Sequence, residues 1–244
     1  MNRPIVNAKQ IICSQEYICW IDIMGTKNTM TESFQKAANF LLKFHCCVLE
    51  VLKDEPNVTY YPMMDGIFIT SKKHNTIRRV INKIFTSVAN IFLSEDQNFH
   101  RFLIKGAIAF GYIAHGNSIT ANVCPSLADK DNYKRSIMFG LPMIQAFKSE
   151  HIAPPFGVYI HESARKPQLL QGRYYNWTFL PKTDKKKLFE CILSYFDWCS
   201  YFNNSLELEP SKIELYKKLT QEYFTDRTQT DSPENEWRTP HCKN

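Results

Sequence analysis

Two aspartates stand where an apolar chain ordinarily excludes them. Asp22 interrupts Tyr17-Ile18-Cys19-Trp20-Ile21-Asp22-Ile23-Met24, and Asp65 lies between Tyr60-Tyr61-Pro62-Met63-Met64 and Gly66-Ile67-Phe68-Ile69. A carboxylate buried in such a run costs free energy unless a positive group offsets it. Two of them suit a pair of oxygen ligands holding divalent metal beside a phosphate chain. The alternative is that both cap strand ends or turns. That reading serves Asp65, in an Asp-Gly turn, better than it serves Asp22 in mid-run.

The elements that must position these residues follow from periodicity. Residues 17–24 are nearly all apolar, the pattern of a central strand covered on both faces. Gly25-Thr26-Lys27-Asn28 breaks the strand, and Thr29 and Glu32 have capping-box spacing. Helical spacing then predicts a helix to about Lys53, with Phe34, Ala38, Leu41, Leu42, His45, Val48, Leu49 and Leu52 as its apolar face. Val58–Met64 and Ile67–Ser71 read as a hairpin around Asp65-Gly66. Pro62 removes a ladder donor and so assigns its strand to an edge or a bulge. A second helix opens at Asn75, and Phe102–Ala114 is a further strand. The order is β-α-β-β-α-β, the ferredoxin-like unit. Beyond it, Met138–His151 predicts a helix, Phe156–His161 and Arg173–Leu180 predict strands, and 184–224 is helical.

The expected organisation is a catalytic unit over 1–182, a helical extension over 183–224 and a mobile polar tail over 225–244. With 244 residues, the chain is long enough for a sizeable core. A net charge of +6 suits an anionic ligand such as a nucleotide but falls short of a dedicated nucleic-acid coat. No apolar stretch has transmembrane length and no signal-peptide pattern is present, so a cytoplasmic protein without membrane insertion is expected. The eight cysteines are scattered without a CxxC pair, which favours reduced thiols over a disulfide framework or zinc.

Taken in order, Ile21-Asp22-Ile23-Met24-Gly25-Thr26-Lys27, Met64-Asp65-Gly66, Lys105-Gly106-Ala107-Ile108-Ala109-Phe110-Gly111 and Phe139-Gly140 with Ala146-Phe147-Lys148-Ser149-Glu150 resemble the motifs of class III nucleotidyl cyclases. The chain resembles most the small bacterial pyrimidine cyclases of the Pycsar antiphage systems. The resemblance spans about residues 17–162. It implies an α+β fold with a βαββαβ core, a head-to-tail homodimer with active sites at the interface, and two Mn²⁺ or Mg²⁺ ions per site. The implied reaction converts UTP, or CTP as the close alternative, to the 3′,5′-cyclic monophosphate and pyrophosphate. The product would then activate a separate effector.

Residue by residue, the resemblance makes Asp22, Asp65 and the Ile23 carbonyl the metal ligands. Gly25 and Thr26, at a strand-to-helix junction, gain a phosphate-binding role beside the plain reading as a flexible loop. Tyr61 takes the place of the lysine or glutamate that reads the base in purine cyclases, or else is an ordinary half-buried strand tyrosine. Lys105 fills the basic position of the third strand and serves the triphosphate or pairs with a carboxylate. Lys148, eight residues after Gly140, stands where purine cyclases place a transition-state arginine, or is an exposed helix lysine. Two positions depart from the purine pattern: Ile144 replaces a ribose-orienting asparagine, and Ile137 is apolar where a polar base contact is usual. These departures leave open a catalytically inactive, nucleotide-binding regulator. An RNA-binding ferredoxin-like module is disfavoured, because strand aspartates repel phosphate without metal.

Overall fold

The run from Tyr17 to Ile21 is buried at every position because both of its faces are covered. The computed structural model describes residues 5–165, 172–177, 182–202 and 210–225. The elements are β1 (Ser14–Ile23), α1 (Thr26–Glu32), α2 (Phe34–Leu52), β2 (Thr59–Met63), β3 (Gly66–Ser71), α3 (His74–Ser94) and β4 (Ile104–His115). After β4 come α4 (Pro125–Ala128), α5 (Asp131–Lys134), β5 (Met138–Phe139), α6 (Leu141–Ser149), β6 (Val158–Ile160) and α7 (Glu162–Arg165). The series ends with β7 (Tyr174–Tyr175), α8 (Lys182–Tyr201) and α9 (Pro210–Thr225).

The strands form one sheet in the order β2-β3-β1-β4-β6-β7, with β5 attached to the end of β4. The β2–β3, β3–β1 and β1–β4 pairs are all antiparallel, which with two helical crossovers is the expected βαββαβ unit. β6 adds in parallel to β4. β2 is the edge strand, as Pro62 requires.

Strand alternation divides β1 between two cores. Tyr17, Cys19, Ile21 and Ile23 share one with Phe40 and Phe44 of α2 and with Val80, Ile84 and Val88 of α3. That core continues into Leu188, Ile192 and Phe196 of α8 and Ile213 of α9. Ile18 and Trp20 point the other way, into a smaller core with Tyr61, Phe68, Ala109, Ile113 and Ala146 of α6.

The first helix differs from the expectation. Ser33 is extended (φ −156°, ψ 110°) and its side chain accepts from the Lys36 N–H at 3.3 Å, so α2 starts there. The Thr29 hydroxyl does not cap; it donates to the Gly25 carbonyl at 3.0 Å within α1. α2 buries Ala37, Phe40, Phe44, Val48 and Leu52 while Phe34, Leu42 and Leu49 are exposed. The helix expected from Met138 begins only at Leu141, because Met138 and Phe139 pair with His115 and Ala114 of β4. Gly140 permits this close passage: a Cβ there would lie 2.4 Å from the Tyr112 carbonyl oxygen. The strand expected over 173–180 is present as Tyr174–Tyr175, and residues 178–180 fall outside the described residues, as does the expected tail after Thr225. No helix among the described residues is long and apolar enough to cross a membrane. The seven described cysteines are free thiols.

Candidate active site

Asp22, next to last in β1, shares a rung with Gly66 of β3 on one side and Lys105 of β4 on the other. Gly66 lets the hairpin come this close. A Cβ on it would meet the Trp20 ring at 2.5 Å and the Ile21 carbonyl oxygen at 2.6 Å. The turn just before it contains Asp65 and the left-handed Met64 (φ 54°), so the hairpin carries Asp65 to the Asp22 end of the sheet.

Asp22 accepts from its neighbour's N–H, at Ile23, but its Oδ1 is buried with no hydrogen-bond partner among the described residues. Burial raises its proton affinity first, the charges of Asp65 and then Glu150 add to this, and Lys105 opposes them. The carboxyl is pushed up to about 8. A buried, under-satisfied carboxylate with like charges beside it favours a cation. Among the described residues, no three His, Cys, Asp or Glu side chains form a metal cage. Two carboxylates and a backbone carbonyl nonetheless suit Mg²⁺ or Mn²⁺, which take their remaining ligands from water and substrate phosphate.

Lys105 is buried, and its Nζ pairs with Glu150 Oε1 at 2.9 Å. Tyr216 of α9 approaches the same ammonium, with Oη at 3.4 Å and the ring centroid at 5.4 Å. Burial alone would lower the lysine's proton affinity, but Glu150 and Tyr216 outweigh it and hold the ammonium charged.

Gly25 is left-handed (φ 77°) and precedes α1, a conformation that favours glycine. Thr26 is buried and its hydroxyl donates to the Ile23 carbonyl at 3.1 Å, which fixes the strand-to-helix bend next to Asp22. The Ile23 carbonyl keeps a second lone pair for another partner.

The remaining expected residues lie elsewhere. Tyr61 is buried on the Trp20 face of the sheet, and its hydroxyl is 2.6 Å from His115 Nδ1. The two rings lie nearly parallel, with centroids 5.9 Å apart. His115 Nε2 in turn reaches Glu16 Oε1 at 3.0 Å, and Ser14 Oγ donates to the same carboxylate at 2.7 Å. Burial and the nearby Glu16 push the Tyr61 phenol up to about 12. Lys148 is on the exposed side of α6, and Ile144 of the same helix is also exposed. Ile137 packs against a small separate core of Ile119, Val123 and Cys124.

The structure thus gathers Asp22, Asp65, Ile23, Gly25, Thr26 and Lys105 at one end of the sheet. It leaves Tyr61 packed in the small core beside Trp20 and Lys148 on the surface of the same protomer. Glu150, Tyr216, His115 and Glu16 were assigned no role from sequence. Glu16 was within reach of sequence reasoning: positions 16, 18, 20 and 22 of an alternating strand share a face, so Glu16 and Asp22 mark its two ends. Tyr216, 111 residues from Lys105, gave no local signal.

Solved structures share this architecture. The adenylate/guanylate cyclase/hydrolase from Silicibacter pomeroyi superposes with a TM-score of 0.50 at 12% identity, covering 64% of this chain and 81% of that one. A bacterial light-regulated adenylyl cyclase gives a TM-score of 0.50 at 11% identity, covering 67% of this chain and 47% of that one. Neither a protein-family model nor a curated protein sequence matches the chain. The fold is that of nucleotidyl cyclase domains, a mixed α+β sheet carrying its own C-terminal helices.

Proposed function

We propose that the chain is a pyrimidine nucleotide cyclase. It converts UTP, or CTP as the close alternative, to the 3′,5′-cyclic monophosphate and pyrophosphate, working as a homodimer with sites at the interface. The observation that carries this reading is the buried Asp22 Oδ1 without a partner, set between Asp65 and Lys105 on a cyclase fold.

Asp22, Asp65 and the Ile23 carbonyl would hold two Mg²⁺ or Mn²⁺ ions. Bound metal supplies positive charge that acidifies the ribose 3′-hydroxyl and neutralises the phosphates. In the reaction the 3′-oxygen loses its proton and bonds to the α-phosphorus, and the bond from that phosphorus to the bridging oxygen breaks. Pyrophosphate leaves with the electron pair. Lys105 offsets charge on the triphosphate, and the backbone at Gly25 and Thr26 lines its approach. Lys148, exposed on α6, suits delivery of charge to the transition state of a second copy's site. Base selection by Tyr61 rests on the resemblance alone, since its ring is buried beside Trp20 and its hydroxyl meets His115. Substrate choice and a separate effector for the cyclic product, in antiphage signalling, rest on the resemblance of these motifs to pyrimidine cyclases.

Incubation with each of the four nucleoside triphosphates and Mn²⁺, with products resolved by chromatography and mass, tests the reading. Cyclic UMP or cyclic CMP is expected, and Asp22→Ala and Asp65→Ala should each abolish it while the protein stays folded. A cyclic purine product would remove Tyr61 from base selection and keep the metal site. A specific observation favours a second reading: Lys105 is already engaged by Glu150, and Ile144 offers ribose no hydrogen bond. Metal-dependent binding of triphosphate with no turnover of any of the four would select that reading, a catalytically inactive regulatory binder.

A further inference from the structure

A lysine ammonium has three donor hydrogens on a flexible four-carbon stem. The Lys105 ammonium forms an ion pair with the Glu150 carboxylate at 2.9 Å and donates to the Tyr216 hydroxyl at 3.4 Å, both outside its own strand. The tyrosine ring also presents its face to the charge, 5.4 Å away. Lys105 is Asp22's direct cross-strand neighbour. The direction of the ammonium is therefore constrained by Tyr216 and Glu150, right beside the candidate metal carboxylates.

Tyr216 is itself held in place. Its ring lies parallel to Phe196 of α8, with an interplanar angle of 4° and centroids 6.3 Å apart. The next residue, Lys217, pairs with Asp197 of α8 at 2.9 Å. Phe196, Ile192 and Leu188 anchor α8 in the main core. A continuous packed path therefore runs from the body of the domain through α8 and α9 to the Lys105 ammonium.

We infer that Tyr216 is a positioning residue for Lys105, and that the C-terminal helical pair thereby forms part of the triphosphate site. The inference rests on the proposed triphosphate chemistry and adds a role for a segment outside the βαββαβ core. The hydroxyl and the ring fix the direction in which the ammonium meets phosphate.

The test is calorimetric titration of the full chain with 3′-deoxynucleoside triphosphates and Mg²⁺. These ligands lack the attacking oxygen, so binding is read without turnover. Four proteins are compared: wild type, Tyr216→Phe, Lys105→Met and the double variant. Tyr216→Phe keeps the stacked ring and removes only the hydroxyl, so its thermal midpoint should match the wild type. Its affinity for triphosphate should fall about threefold, the scale of one long hydrogen bond. Lys105→Met should lose more than about tenfold, as expected when a charge-assisted contact is removed. The double variant should bind like Lys105→Met. Wild-type affinity in Tyr216→Phe overturns the inference and leaves the cyclase reading intact. So does the same threefold loss in the Lys105→Met background, since Tyr216 would then act elsewhere. Failure of the wild type to bind any triphosphate overturns the cyclase reading and this inference with it.

Discussion

The surroundings of Asp22 oppose its charged form, and that opposition has a sign. Burial and the neighbouring carboxylates push its carboxyl up to about 8, whereas in the unfolded chain it titrates at about 3.9. Between these values the folded protein keeps a proton that the unfolded chain has released. Stability of the metal-free protein should therefore fall as pH rises across that window, and level off above it. Asp22→Asn should flatten this slope, and Mg²⁺ or Mn²⁺ should restore wild-type stability at the alkaline end. Denaturation with a chelator at several pH values measures it; parallel slopes for the two proteins would remove Asp22 as the source. The same residue was legible in the sequence, because a single acid inside an apolar strand has few cheap explanations. Lys105 was legible as a charge seeking an anion. Its partner was not, because Tyr216 reaches it only through the packing of α9 on α8.

Among the elements, the hairpin and the first helix show what periodicity can and cannot fix. The Asp65-Gly66 turn was readable because its signal is local, and it occurs where expected, between β2 and β3. Its tightness depends on Gly66 lying against Trp20. Gly66→Ala forces a Cβ to within 2.5 Å of the indole and 2.6 Å of a backbone oxygen, neither of which can move without disturbing β1. We expect a loss of about 1–3 kcal/mol in chemical denaturation. Because the displaced strand carries Asp22, metal-dependent turnover should fall more steeply than stability alone explains; a variant with wild-type stability and activity would show that the hairpin tolerates the shift. The face of α2 was misread for a different reason. Phe34, Leu42 and Leu49 are apolar and helically spaced, yet they are exposed, and the buried stripe runs through Phe40 and Phe44. Two apolar stripes compete on that helix, and the one buried is the one that packs against β1 and α3.

For the whole molecule, the proposed reaction requires Lys148 to reach Asp22. Within one protomer Lys148 is on the outer side of α6, where Leu141, Ile144 and Phe147 are also exposed, at 64%, 45% and 48%. Phe147 touches Trp20 from above, so this apolar stripe continues the small core on the sheet face that carries Asp22. A second copy seated head to tail on that face would cover the stripe and bring its own Lys148 to the first copy's metal carboxylates. The arrangement makes each site a composite and predicts complementation. Asp22→Ala and Lys148→Ala should each be inactive, or nearly so, when pure. Mixed in equal amounts and allowed to exchange subunits, half of the dimers are heterodimers. In these, one site carries both substitutions and the other carries neither, so about a quarter of wild-type activity should return. If Lys148 instead acted within its own protomer, every site in the mixture would carry one defect and no activity would return. An assay of the mixture against the separate variants distinguishes the two, and a charge placed in the stripe by Ile144→Asp should abolish the recovery by keeping the copies apart.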